Sequence, residues 1–162
     1  MTAALRVVQI VALALWVGAV VFFSFVTAPA LFASLPRDMA GRATAAIFPR
    51  YYLLGWVCGG AVLVGAVGEV ALRASVERRL MVMILLLLAM LGASLYAGRI
   101  ILPRAAAARF VQADPARAAE HGEAKARFDR LHQKSVMLNG VVLLLGLGAL
   151  VVAALPTRGK AP

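Results

Sequence analysis

Four long apolar blocks, almost free of charge, leave this chain few ways to fold. They run from about Val7 to Phe32, Tyr51 to Leu72, Leu80 to Leu102 and Val136 to Leu155. An α-helix needs about 20 such residues to cross roughly 30 Å of hydrocarbon. In that solvent only helices and closed barrels satisfy their own backbone polar groups. Barrel strands alternate apolar and polar residues over about 10 positions, whereas Val82 to Met90 and Val141 to Leu147 are apolar without a break. These runs also lack the polar stripe that a water-soluble bundle requires. The expected fold is all-α: an integral membrane four-helix bundle, one domain over 1–162, with no fifth span.

Within the first block, Ala28-Pro29-Ala30 offers small residues at a cleavage-like spacing. A signal-peptide h-region is only about 7–15 residues long and follows a basic n-region. Here the block is longer and a single cation, Arg6, precedes it. The block is therefore read as a retained span.

A net charge of +10 could signal nucleic-acid binding. The 17 cations, however, sit at helix ends and in connections, and none lies mid-span. That placement excludes nucleic acid as a partner and favours the bilayer and its anionic lipid head groups. Four spans put both termini on one side, termed side A. It carries 6 cations: Arg6, Arg73, Arg78, Arg79, Arg158 and Lys160. Side B carries 11: Arg37, Arg42, Arg50, Arg99, Arg104, Arg109, Arg117, Lys125, Arg127, Arg130 and Lys134. The positive-inside rule places side B in the cytoplasm and the termini on the non-cytoplasmic side. Arginine outnumbers lysine 14 to 3 and alanine is abundant, which points to a GC-rich bacterial gene and an inner membrane.

The side B connections read as structured. After Ser34, the segment Leu35 to Ile47 has an amphipathic pattern. Leu35, Met39, Ala43, Ala46 and Ile47 share one face, and Arg37, Asp38, Gly41, Arg42 and Thr44 the other. Such a helix lies in the membrane interface or packs on the bundle. In the third connection, Asp114-Pro115 is a helix start, an N-cap acceptor followed by proline. Glu123–Arg127 and Lys125–Asp129 are helix-supporting i,i+4 pairs. Spans three and four therefore extend into an aqueous helical hairpin with its tip near Ala113 and a kink at Pro103. Its antiparallel register pairs Arg104 with Glu123 and Arg99 with Asp129.

Polar groups near hydrocarbon are the candidate functional residues. His132, Ser135 and Asn139 share a helix face at the side B mouth, with Arg99 ending span three beside them. They form either a ligand site or interhelical packing glue. Glu69 precedes Arg73 by one turn and is expected to pair with it. Gly55 and Gly59 form a G-x-x-x-G pair suited to internal packing or a homo-oligomer. The lone cysteine, Cys58, reads as a buried small residue. No metal site or cofactor is expected: His121 and His132 are the only histidines and neither lies deep in a span, while Met81, Met83, Met90 and Met137 form no cluster. No catalytic set is present, so the chain reads as a non-enzyme.

The segment WVGAVVFFSFVTAPALF, followed by AGRATAAIFPRYY and by FDRLHQKSVMLNG, resembles the transmembrane protein 205-like family, a domain of unknown function of the DUF4149 type. The markers are Gly18, Pro29, Phe32, Gly41, Phe48 and Pro49, with His132, Ser135 and Asn139. The resemblance implies a four-span membrane fold and no particular reaction. A looser likeness is to the copper-resistance D membrane domain. The expected function is a non-enzymatic inner-membrane component, transport-related or an interaction module. The alternative is a redox or cofactor-binding membrane protein.

Overall fold

The computed structural model describes residues 2–73 and 77–155. They form four helical rods. The first is α1 (Thr2–Phe22), a π-helical turn (Phe23–Thr27) and α2 (Ala28–Ser34). The second is α3 (Arg37–Arg73). The third is α4 (Arg78–Tyr96), a second π turn (Ala97–Ile101) and α5 (Leu102–Ala113). The fourth is a 3-10 segment (Pro115–Glu120) leading into α6 (His121–Ala154). All four are long and apolar enough to cross a membrane, so the chain is built as a multi-pass membrane protein.

Each rod packs on its neighbours in sequence, and α6 closes the ring on α1, as in an up-down-up-down bundle. The interior is apolar: Leu13, Val20, Val62, Met83, Leu87 and Met90 are almost fully buried. The outside is apolar too, with Val64 73% and Leu144 71% exposed. In water such a surface would aggregate; facing acyl chains it costs nothing. The candidate spans hold 32 to 40 residues, or about 48–60 Å of helix, against roughly 30 Å of hydrocarbon. The surplus emerges on side B.

Both π turns stand just ahead of a proline. Ala28 N–H reaches back to Phe23 O, and Leu102 N–H to Ala97 O. Proline lacks an N–H, and its ring presses on the carbonyl four residues earlier. One widened turn before Pro29 and Pro103 relieves that pressure, so the kink expected at Pro103 is a π bulge.

The segment after Ser34 is not a separate interfacial helix. It is the first turns of α3, continuous through Pro49. The expected faces hold only in part: Arg37, Asp38 and Arg42 are exposed and Leu35, Ala43 and Ile47 half-buried, but Gly41, Thr44 and Met39 depart. Ala40, Gly41 and Thr44 are buried, while Met39 is 49% exposed. Thr44 satisfies its hydroxyl on Ala40 O at 2.7 Å, and the Gly41 carbonyl accepts from Arg109 Nη1 at 2.6 Å. Small size decided the packing face here, not polarity.

The hairpin turns at Asp114, whose side chain accepts from Ala116 N at 3.0 Å. Neither expected cross-hairpin ion pair forms among the described residues. Arg99 lies over the Trp56 ring, and Asp129 pairs with Lys125 at 2.8 Å. Arg104 does not reach Glu123, nor does Glu123 pair with Arg127. The cause is the 3-10 segment, in which Arg117 departs from helical geometry. The break at Arg117 means the fourth rod does not continue the register of a single α-helix from Pro115. The hairpin closes instead through Arg109, stacked over Phe128 at 5.1 Å.

Candidate functional site

Two polar clusters sit at opposite ends of the bundle. On side B, α3 presents Tyr51 and Tyr52 on successive positions, so the two rings reach different neighbours. Tyr51 Oη donates to Asn139 Oδ1 on α6, and Asn139 Nδ2 donates to Ser24 Oγ at 2.9 Å. Ser24 lies in the first π turn, so three rods converge on Asn139. Tyr52 Oη stands 3.5 Å from Ser135 Oγ, the outer limit of a hydrogen bond. Aromatic rings wall the group: Phe23 stands 5.1 Å from Phe48 and 5.2 Å from Tyr51, and Tyr52 stacks on Trp56 at 6.3 Å. Beside Asn139 is a cleft of about 10 Å³, lined also by Trp16, Tyr51, Tyr52 and Ser94. It holds one water-sized group.

The four residues grouped by sequence separate here. Ser135 and Asn139 join the cluster. His132 is exposed, its ring stacked at 5.9 Å on Phe128 of its own helix. Arg99 is exposed as well, with its guanidinium 4.9 Å above the Trp56 ring. The second π turn carries it there. Gly98 permits the approach: a Cβ at that position would lie 2.8 Å from Trp56 Cζ2. Sequence reasoning missed Ser24, Tyr51 and Tyr52 as polar partners, because tyrosines at a span end also read as an aromatic belt.

The remaining family markers take varied places. Phe48 belongs to the aromatic wall, Pro29 follows the first π turn, and Gly41 receives Arg109. Gly18, Phe32 and Pro49 are exposed. Gly55 and Gly59 face inward: a Cβ would lie 2.6 Å from Trp16 Nε1 and 2.6 Å from Leu91 Cδ2, respectively. Their absent side chains let Trp16 and Leu91 in. Cys58 is buried between them in sequence.

On side A, Glu69 is fully buried and Arg79 Nη2 donates to both its oxygens, at 3.2 and 3.1 Å. Gln9 Nε2 of α1 donates to Glu69 Oε2 at 3.4 Å. Gln9 is fully buried, and its Oε1, with Arg79 Nε and Nη1, has no partner among the described residues. Gly65 makes the space, since a Cβ there would sit 3.1 Å from Gln9 Cγ. The expected Glu69–Arg73 pair falls on the Arg73 side chain, which lies outside the described residues. Helix-wheel arithmetic pointed to Arg73 and could not see Arg79, which comes from another rod. The available signal was Gln9, the one polar side chain other than Trp between Arg6 and Ser24. Nearby, Arg6 caps α6 by donating to the carbonyls of Ala153 (3.0 Å), Ala154 (3.1 Å) and Leu155, a favourable use of a cation at a helix C-terminus.

Among the described residues, no three His, Cys, Asp or Glu side chains gather to hold a metal. Neither curated proteins nor solved structures match the chain. A family profile described as a domain of unknown function (DUF4149) matches residues 11–114, covering α4, both π turns, the side B aromatic wall and the Glu69–Arg79 pair, but not Gln9, Ser135 or Asn139. The match spans well over half of the chain, which therefore belongs to the DUF4149 family.

Proposed function

We propose that the chain is a non-enzymatic component of a bacterial inner membrane that binds a ligand or partner at its side B mouth. The observation that carries this reading is the meeting of Ser24, Tyr51 and Asn139, from three rods, beside a small cleft. Hydrogen-bonding groups at the end of a membrane bundle, walled by aromatic rings, suit recognition of an amphipathic molecule. The cleft has room for one group only, so a bound ligand inserts a single hydroxyl or carbonyl and keeps its bulk outside. Transport-related binding and docking of a partner both fit that geometry. Side B, with 11 of the 17 cations, is the cytoplasmic face in this reading.

The test is a ligand-stabilisation screen on purified protein in detergent, run in parallel on Asn139→Ala. Compounds carrying one exposed hydroxyl or carbonyl should raise the unfolding midpoint of the natural chain and leave the variant unmoved. Equal shifts in both proteins, or none across the screen, would sink the reading and leave the cluster as packing glue. Reporter fusions at Ala113 and at Pro162 test the orientation; a cytoplasmic signal from Pro162 reverses it.

A further inference from the structure

We infer that Arg99, laid on the Trp56 ring at the side B edge of the hydrocarbon, binds the phosphate of an anionic phospholipid. The inference stands apart from the Asn139 cleft. Some of the other side B cations have internal acceptors; others, Arg104 among them, show none among the described residues but also lack an aromatic platform there. Arg42 pairs with Asp38, Arg117 with Glu120 and Lys125 with Asp129, while Arg109 donates to Gly41 O. Arg99 has none among the described residues; its contact is the Trp56 face, 4.9 Å away.

That contact does two things. It anchors the guanidinium on the aromatic face while the side chain stays exposed, so its N–H donors remain open to an incoming anion. It also removes water from one side of the charge. Arg99 lies three residues inside the end of the third apolar block at Leu102, about 4.5 Å along the helix. A cation so close to acyl chains requires a counter-ion, and the protein supplies no carboxylate among the described residues. Lipid-facing side chains flank it: Tyr96, one turn earlier on the same rod, is 48% exposed, and Leu53, one turn before Trp56, is 55% exposed. A phospholipid fits both features, its phosphate on the N–H edge and its acyl chain along Leu53. A planar guanidinium binds phosphate oxygens in pairs, which an ammonium does not.

The experiment uses the full chain in nanodiscs of phosphatidylcholine alone, of phosphatidylcholine with phosphatidylglycerol, and of phosphatidylcholine with added inorganic phosphate. Retained lipid is counted by native mass spectrometry, and the unfolding midpoint is recorded. The natural chain should retain phosphatidylglycerol over phosphatidylcholine about fivefold more strongly than Arg99→Gln, the weight of one basic residue at a membrane surface. Arg99→Lys should fall between them, and Arg104→Gln should match the natural chain. Trp56→Leu, which keeps the charge and removes the platform, should also weaken the preference. An undiminished preference in Arg99→Gln or in Trp56→Leu overturns the proposal. Stabilisation by inorganic phosphate equal to that by phosphatidylglycerol overturns the lipid as the occupant.

Discussion

Replacing Glu69 by Gln should be among the most damaging single changes this bundle can suffer. The carboxylate side chain is 1% exposed and its Arg79 partner 10%. Those values place the pair outside the surface regime, in which an ion pair contributes about 1 kcal/mol or less. Arg79 already has Nε and Nη1 buried without partners among the described residues. Its charge is compensated through Nη2, which donates to both Glu69 oxygens. Glu69→Gln keeps the volume and removes the negative charge, leaving the guanidinium buried beside a neutral amide. Breaking a buried pair from one side costs about 3–5 kcal/mol. With about 2–4 °C per kcal/mol for a chain of this size, the unfolding midpoint should fall by about 6–20 °C. Thermal unfolding in detergent reads this directly. The double variant Glu69→Gln, Arg79→Gln removes both charges and should recover most of the loss. A single-variant loss under about 1 kcal/mol, the value of an exposed pair, would refute the reasoning, as would a double variant worse than the single.

Gly59→Ala should cost about 1–3 kcal/mol by overpacking, because its Cβ meets Leu91 and Trp16 at 2.6 and 2.8 Å. Gly60→Ala, with nothing within 4 Å, should be neutral or slightly stabilising in the same melt. His132→Ala should stay within about 0.5 kcal/mol of the natural chain, as exposed positions do, and should leave every ligand shift intact. Acid should loosen the first turns of the fourth rod. A hydrogen bond from Lys125 holds the Asp129 carboxyl below its ordinary 3.8, and one from Arg117 holds Glu120 below its ordinary 4.5. Stability from such depressed groups is present above the ordinary values and lost as pH falls through the folded-state ones. A spin label at Ala126→Cys should therefore gain mobility below that range and not between pH 6 and 8. Gln9→Ala and Asn139→Ala should be additive within about 0.3–0.5 kcal/mol, since 15 residues of helix, about 22 Å, separate Gln9 from Ser24.

The rods and their rough extents were legible because bilayer length and backbone satisfaction leave one solution for blocks so long. The hairpin tip was legible because Asp114-Pro115 encodes a local event. Spacing within one helix held where Lys125 pairs with Asp129 and where Ser135 and Asn139 share a cluster, but register between rods was not legible. Register across the hairpin was lost to six residues of 3-10 helix that no period reveals. His132 shares a wheel face with Asn139, yet Asn139 meets two other rods and His132 meets Phe128 of its own. Glu69 pairs with Arg79 of another rod, where spacing rules are blind, and the side chain of its expected partner Arg73 lies outside the described residues. The Gly41 and Thr44 face was misread because residue size, not polarity, chose it.

The two ends of the bundle differ in how firmly they are held. Side A is clamped by a buried ion pair and by Arg6 across the last carbonyls of α6. Around Asn139, side B is joined by neutral hydrogen bonds, one of them at 3.5 Å, of a kind that averages about 0.6 kcal/mol between helices in membranes. The charged Arg109–Gly41 contact lies farther out along the hairpin. Both prolines that interrupt the first and third rods, and both π turns, lie on this weaker end. Between the ends, Leu13, Val62, Met83, Leu87 and Met90 fill the axis without a polar gap. The proposed site is therefore reached from side B or from the lipid rather than along the axis that these residues fill. Local opening follows the least stable contacts. The more weakly joined end is the one that holds Asn139, so the binding proposed there and movement of the hairpin are expected to be one event.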